Sequence, residues 1–463
     1  MTFCRRAITI ALARQDVSAA REAFYRMPPA VQNEIMSRYL AFKIAMQSED
    51  IDLARESLGI ISKHASKDPR ILYACVLEAQ QSNMRTLAVT ALQALLDTQT
   101  AGVHLPSLLR CIVRLLMGER DVQGADHDQV VGEIVQTFEH AAANVKVLRQ
   151  ATEDQWRVEV QWWSKNAYNL ALQLCASAHP EHIVRLLAAC IKFIDACPTD
   201  ADATNRCNSI QRRMICHFLS ATSSIVLARS NADGSEYAFQ NYLHAQQQIS
   251  AFLELAGQVT DAPDDQDLSA RRLEMLKSQL ECVFKLRQWD KLDSTLTSLL
   301  ESKHIDRWDS LIDLLIVVHE QTSQLEGAAS THGRITELLQ RCINDNWKQD
   351  RDMTKMSRWL RLAFGIYLDN DGVDLALNIV QQAAGLAKRN DGHTYPGDEL
   401  QWLAISAFNK AVDMLSVDDR EAVTRWIDAA LELARYAADN GALHAHLTHK
   451  REMVRERMQA VVV

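Results

Sequence analysis

The chain has 463 residues, with 50 Lys and Arg against 59 Asp and Glu for a net charge of −9, and 48% of it is hydrophobic. Its 15 Gly and 8 Pro are few for this length. That excludes collagen-like and low-complexity chains, and it argues against sheets, whose turns need such residues roughly every 8–12 positions. The acidic balance provides no broad basic surface for nucleic-acid phosphates, and the 10 Cys, with no CxxC pair, read as small core residues in a reducing compartment.

At the N-terminus Arg5 and Arg6 precede the apolar stretch Ala7–Ala13, which is short and runs into Arg14, Gln15 and Asp16 without a cleavage pattern. No apolar run approaches the ~20 residues needed to cross a bilayer. The expectation is a chain neither secreted nor membrane-spanning.

The first hundred residues repeat. DVSAAREAF from Asp16 matches DIDLARESL from Asp50, pairing Ala20 with Ala54, Arg21 with Arg55 and Phe24 with Leu58 at an offset of 34; the same step reaches Ala88 and Leu92. Upstream the register holds through Ile8, Phe42 and Val76 and through Ala11, Ala45 and Ala79. A period of 34 with small residues at two fixed positions is the tetratricopeptide pattern of two antiparallel helices per unit. The alanines mark where helix backbones approach closely, and Pro28 and Pro69 fall just past the second helix of a pair. One helix pair cannot bury its apolar face alone, so stacking is obligatory. The sequence therefore predicts an all-α, tetratricopeptide-like α-solenoid with three clear repeats over 1–117, a linker at 118–132, and a degenerate continuation of the same solenoid over 133–463.

In that continuation the amphipathic stretches Glu181–Ala196, Leu268–Leu286, Asp309–Gln321, Met356–Leu368 and Asp374–Ala387 predict helices. Polar breaks separate them at Ser230–Ser235, Val259–Asp267, Gly327–Gly333 and Asn390–Asp398, and the acidic run Thr260–Asp267 is the expected mobile surface loop. At typical lengths this amounts to roughly two dozen helices.

A second internal match joins Glu159–Leu172 to Glu399–Val412 without gaps, as E-[VL]-Q-W-x4-A-[YF]-N-x-A-[LV]. The 240 residues between the copies are close to seven units of 34. In the second copy Trp402, Ile405 and Asn409 share one helical face, and Ala404, Ala407, Phe408 and Ala411 lie on the other. One reading is a well-kept first helix of a repeat, with Trp as spacer and Ala at the close approach. In the other, the Asn, a poor helix residue that is costly when buried unpaired, meets a partner protein.

These segments give the chain a family likeness. Trp162–Ala171, Tyr395–Asp413, Arg425–Ala434 and the DIDLARESL repeat resemble the meiosis-specific tetratricopeptide-repeat family of ZMM crossover scaffolds, which includes the fungal sporulation/zipper proteins and their testis-expressed animal relatives. The resemblance implies a non-enzymatic scaffold in the nucleus, on meiotic chromosomes, promoting crossover formation and coupling it to synaptonemal complex assembly. Its implied partners are other ZMM-type proteins and central components of the synaptonemal complex. It also implies a C-terminal aromatic–Asn pair that binds such a component, here Phe408 and Asn409 beside Trp402; Tyr168–Asn169 carries the same local pattern. Members of that family run nearer twice this length, and residue 1 falls inside a repeat with no polar cap before it, so a shortened form is expected.

No residue pattern for catalysis stands out. The chain contains no Gly-x-Gly, no Gly followed by Lys and no G-x-S-x-G. His319-Glu320 opens like a zinc-protease helix, but Ser323 sits where the second His belongs. On a helix His446 and His449 share a face that His444 does not, and Cys190, Cys197, Cys207, Cys216 and His217 lack zinc spacing. The expectation is no enzyme, no cofactor and no metal. The alternative function is a generic cytosolic tetratricopeptide adaptor for chaperone or complex assembly; against a carboxylate clamp, the first helices offer the apolar Tyr39, Phe42, Ala45, Tyr73, Val76 and Ala79.

Overall fold

The computed structural model describes residues 2–64, 69–97, 104–120, 126–146, 153–197, 203–232, 234–259, 266–301, 308–322, 329–349, 352–369, 372–389, 395–417 and 419–460. Among these residues there are helices and turns and no strand. The chain divides into two compact units, Met1–Leu255 and Ala256–Val463.

The first unit contains α1 (Thr2–Ala13), α2 (Val17–Tyr25), the single turn α3 (Pro29–Gln32), α4 (Ile35–Ser48), α5 (Ile51–His64), α6 (Arg70–Gln81) and α7 (Arg85–Asp97). Then come α8 (Leu105–Arg120), α9 (His127–Ala143), α10 (Glu153–Leu174), α11 (Pro180–Ala196), α12 (Ala203–Arg229) and α13 (Glu236–Gln258), within whose last turn the division falls. Consecutive helices pack as antiparallel pairs, α1 with α2, α4 with α5, α6 with α7, α8 with α9 and α10 with α11. Like helices of successive pairs also meet, α4 with α6, α5 with α7 and α9 with α11. This is the stacked, nearest-neighbour architecture of an α-solenoid.

The repeat positions do what their chemistry asks. Ala20, Ala54 and Ala88 are fully buried, as are Ala45 and Ala79, where helices approach. The turn within each pair closes on a left-handed residue, Gln15 (φ 60°), Glu49 (φ 54°) and Asn83 (φ 55°). In each case the next amide donates back to the carbonyl five residues earlier: Asp16 to Ala11, Asp50 to Ala45 and Met84 to Ala79. The turn at Arg287 (φ 53°) is closed in the same way, Gln288 N donating to Val283 O. Asp16 and Asp50 then cap the second helix, each Oδ1 accepting from a backbone amide, Ala19 at 3.0 Å and Leu53 at 3.1 Å. Asp50 does double duty, since Arg21 of the previous pair donates to its Oδ2 at 2.7 Å. The third repeat has Met84 at that position, and the device stops there.

The second unit contains α14 (Gln266–Lys285), α15 (Trp289–Leu300), α16 (Trp308–Thr322), α17 (Ala329–Gln349), α18 (Met353–Asp369), α19 (Val373–Lys388), α20 (Gly397–Asp413), a 3₁₀ turn (Met414–Val417), α21 (Arg420–Ala434) and α22 (Ala442–Ala460). Pairs α14/α15, α16/α17, α18/α19 and α20/α21 pack in the same manner. All five amphipathic stretches singled out in the sequence are helices, α11, α14, α16, α18 and α19.

Several sequence boundaries move. The stretch 118–132 is mostly helical, because α8 runs to Arg120 and α9 starts at His127; residues 121–125 lie outside the described ones. Gly333 lies inside α17, so the break read at Gly327–Gly333 does not extend that far. Most of the acidic run, 260–265, lies outside the described residues. The two E-x-Q-W segments sit in α10 and α20, ten helices apart among the described residues, short of the fourteen that seven two-helix units would give. Some later helices are longer: α4 and α5 have 14 residues each, while α10 has 22, α12 has 27 and α17 has 21. No helix is long and apolar enough to cross a membrane among the described residues.

Candidate functional site

The E-x-Q-W motif has a specific geometry. In the first unit the Arg110 guanidinium, on α8, donates from Nε to Glu159 Oε1 at 3.0 Å and from Nη2 to Glu159 Oε2. The same guanidinium lies 4.6 Å from the centroid of Trp162. Trp163 is fully buried, edge-on to Phe138 and stacked on Phe193, and its Nε1 donates to Glu159 Oε1 at 2.8 Å. In the second unit Arg361, on α18, lies 4.1 Å from the Trp402 centroid and donates to Glu399 Oε2 at 3.5 Å. Each time, an Arg from the first helix of one pair is held between the Glu and the Trp of the first helix of the next. The motif is therefore an inter-repeat clip, made of an ion pair and a cation–π contact.

The sequence-derived site divides across two faces. Phe408 is buried, only 2% exposed, among the core residues of α20, so it is not an exposed anchor. Its position follows from helical geometry: Phe408 lies one turn from Ala404 and Ala411, both at 0% exposure. Asn409 is exposed, which removes the desolvation cost that had called for a partner group. Trp402 is half-buried, edge-on to Phe364 at 6.0 Å, and shares its face with Asn409 and the exposed Ile405. In the other copy Asn169 is exposed and Tyr168 is half-buried, with Arg212 5.5 Å from its ring centroid. Phe408 and Asn409 thus do not form one surface, whereas Trp402 and Asn409 do.

Trp402 lines a groove that composition and spacing did not reveal. It lies between α16, α18 and α20 and holds about 680 Å³. Ile312, Ile316, Trp359, Leu362 and Ile366 supply apolar walls. Around them stand Lys355, Arg358 and Arg361 from the first half of α18, Asp369 from its end, and Asp313 and Glu320 from α16. His319 also lines the groove at 6% exposure, and its Nδ1 has no hydrogen-bond partner among the described residues. Burial, reinforced by His332 with its ring 4.8 Å away, pushes the His319 pKa down and favours the neutral ring. A groove with apolar walls and a mixed-charge rim can hold a peptide side chain and orient its neighbours.

Several other titratable groups among the described residues have structural partners or face solvent. His179 caps α11, accepting from Glu181 N, while His182 pairs with Asp128 at 3.3 Å. His446 and His449 are exposed. Among the cysteines, Cys75, Cys190, Cys216, Cys282 and Cys342 are buried as expected, while Cys111, Cys175 and Cys207 are exposed, contrary to a uniform core role. Cys190 and Cys216 place their sulfurs 3.7 Å apart between α11 and α12, and that hydrogen bond together with burial raises the Cys216 pKa. No group of three or more His, Cys, Asp or Glu side chains is arranged to hold a metal ion among the described residues.

No protein-family model and no curated protein matches the chain. Among solved structures it is similar to a circular tandem repeat protein with novel repeat topology (16% identity, covering 99% of this chain and 89% of that one, TM-score 0.19). It is also similar to a structure of Naa15/Naa10 bound to HypK-THB (10% identity, 99% and 79%, TM-score 0.19) and to Ypp1 (11% identity, 96% and 76%, TM-score 0.21).

Proposed function

We propose that the chain is a non-enzymatic protein-interaction scaffold acting in meiosis, in the nucleus on meiotic chromosomes, where it promotes crossover formation and couples it to synaptonemal complex assembly. The observation that carries the scaffold reading is the groove between α16, α18 and α20, an amphipathic recess on stacked repeats. Support for the meiotic setting comes from the resemblance at Trp162–Ala171 and Tyr395–Asp413. Its partners in this reading are other ZMM-type proteins and central components of the synaptonemal complex, met on the face that carries Trp402 and Asn409.

The test is localisation and partner recovery of an endogenously tagged chain. Expression confined to meiotic cells, with foci on prophase chromosomes and recovery of synaptonemal central components, is the expected result. Uniform cytosolic expression across tissues, with chaperones or assembly factors as partners, would replace it with the cytosolic tetratricopeptide adaptor.

A further inference from the structure

Gly365 sits in the interior of α18, on the groove wall, and a Cβ built there meets nothing within 4 Å. Neither a left-handed backbone nor close packing requires glycine at this place. In a helix interior Gly costs about 0.5–1 kcal/mol relative to Ala, so here the chain forgoes stability and keeps a recess open. Opposite, on α16, His319 is 94% buried and lines the same groove, and its Nδ1 has no hydrogen-bond partner among the described residues. Along α18 the rim charges run Lys355, Arg358 and Arg361 in its first half and Asp369 at its end, with Asp313 and Glu320 of α16 at the same groove. Lys355, Arg358 and Arg361 are all exposed; Lys355 and Arg361 have acidic neighbours, Asp352 at 4.0 Å and Glu399 at 3.5 Å.

We propose that this groove binds a short amphipathic segment of a partner protein, with carboxylates over Arg358, a large apolar or aromatic side chain seated over Gly365 beside His319, and a basic residue near Glu320 and Asp369. The apolar side chain is the anchor, since it desolvates the recess between Trp359 and Ile366; the flanking charges set the order in which the segment lies. The inference rests on the scaffold reading and narrows it to one surface and one partner chemistry.

The probe is a fluorescein-labelled synthetic peptide with glutamates at one end, a tryptophan and a leucine at the centre and lysines at the other. It is titrated against the full chain by fluorescence anisotropy. Saturable binding is expected, weakened about tenfold or more by Gly365→Leu, which fills the recess, with the melting temperature unchanged or raised. Arg358→Glu should weaken it too, and a peptide with lysines in place of the glutamates should recover on that variant what it lacks on the wild type. Failure of the mixed-charge peptide to bind, or binding that neither variant alters while both stay folded, overturns the proposal. A Gly365→Leu chain that still assembles with the wild-type partners in cells also overturns it while leaving the scaffold reading intact; a wild-type chain without such partners sinks the scaffold reading itself.

Discussion

Arg110 and Glu159 are 49 residues apart and form a two-pronged ion pair whose carboxylate also accepts from Trp163 Nε1. Neither residue draws notice alone; together with Trp162 they tie α8 to α10 across the neighbouring pair. The related contact of Arg361 with Glu399 is looser and its Arg more exposed, 46% against 26% for Arg110. The two clips have the same parts and should differ in strength.

A double-mutant cycle on Arg110 and Glu159 is expected to give a coupling of about 1–2 kcal/mol, because the pair is partly desolvated and hydrogen-bonded twice. The same cycle on Arg361 and Glu399 should give about 0.5 kcal/mol and vanish in high salt. Chemical denaturation of the four variants at each site measures both, and equal couplings would contradict the geometric ranking.

Phe408→Ala should destabilise the second unit by about 3–5 kcal/mol, as truncation of a buried aromatic does. Asn409→Ala, at an exposed position, should leave the melting temperature unchanged within about 0.5 kcal/mol of stability. A Phe408→Ala chain that melts like the wild type would show that the side chain is not core.

Ala54 has no exposed surface where α4 and α5 approach. Ala54→Leu should overpack that pair and cost about 1–3 kcal/mol, whereas Arg55→Leu on the solvent side should be close to neutral. Thermal unfolding followed by circular dichroism separates the two.

Acid should weaken the fold through three histidines. Burial is the main cause that lowers the pKa of His217, His244 and His319 below the ordinary value of 6.5. Each is held neutral when folded, so its contribution is fully present above the unfolded pKa and is lost as pH falls below about 6.5. His217 also bonds Gln248 at 2.7 Å and His244 bonds Ser224 at 2.9 Å, so protonation puts charge into existing side-chain networks. The melting temperature should fall between neutral and mildly acidic pH, and His319→Gln should flatten part of that slope. A pH-independent melting temperature over that interval would refute the assignment.

The repeat was legible in the first hundred residues because Asp16 and Asp50 cap helices and Ala20, Ala54 and Ala88 fill identical gaps at one spacing. Beyond that, helices such as α10 and α12 grow by extra turns, which preserves packing but destroys a fixed residue period. The helical face of Trp402, Ile405 and Asn409 was readable from spacing alone, and their exposure agrees with it. The burial of Phe408 was readable too, since the same spacing places it with Ala404 and Ala411, and the partner-binding role that the resemblance implies for Phe408 conflicts with that pattern. The groove was not legible. It depends on the gap between α16 and α18 and on the empty space above Gly365, and neither leaves a mark in residue order.

Arg21–Asp50, Arg185–Glu139 and Arg110–Glu159 each span a single boundary between neighbouring helix pairs in the first unit. A stack fastened only to its neighbours resists a pull link by link, and no one bond carries the whole. Stretched from its ends, that unit would therefore lengthen in successive small steps, and each step could close again while the pairs beside it stay folded. The ion pairs make those steps softer in high salt.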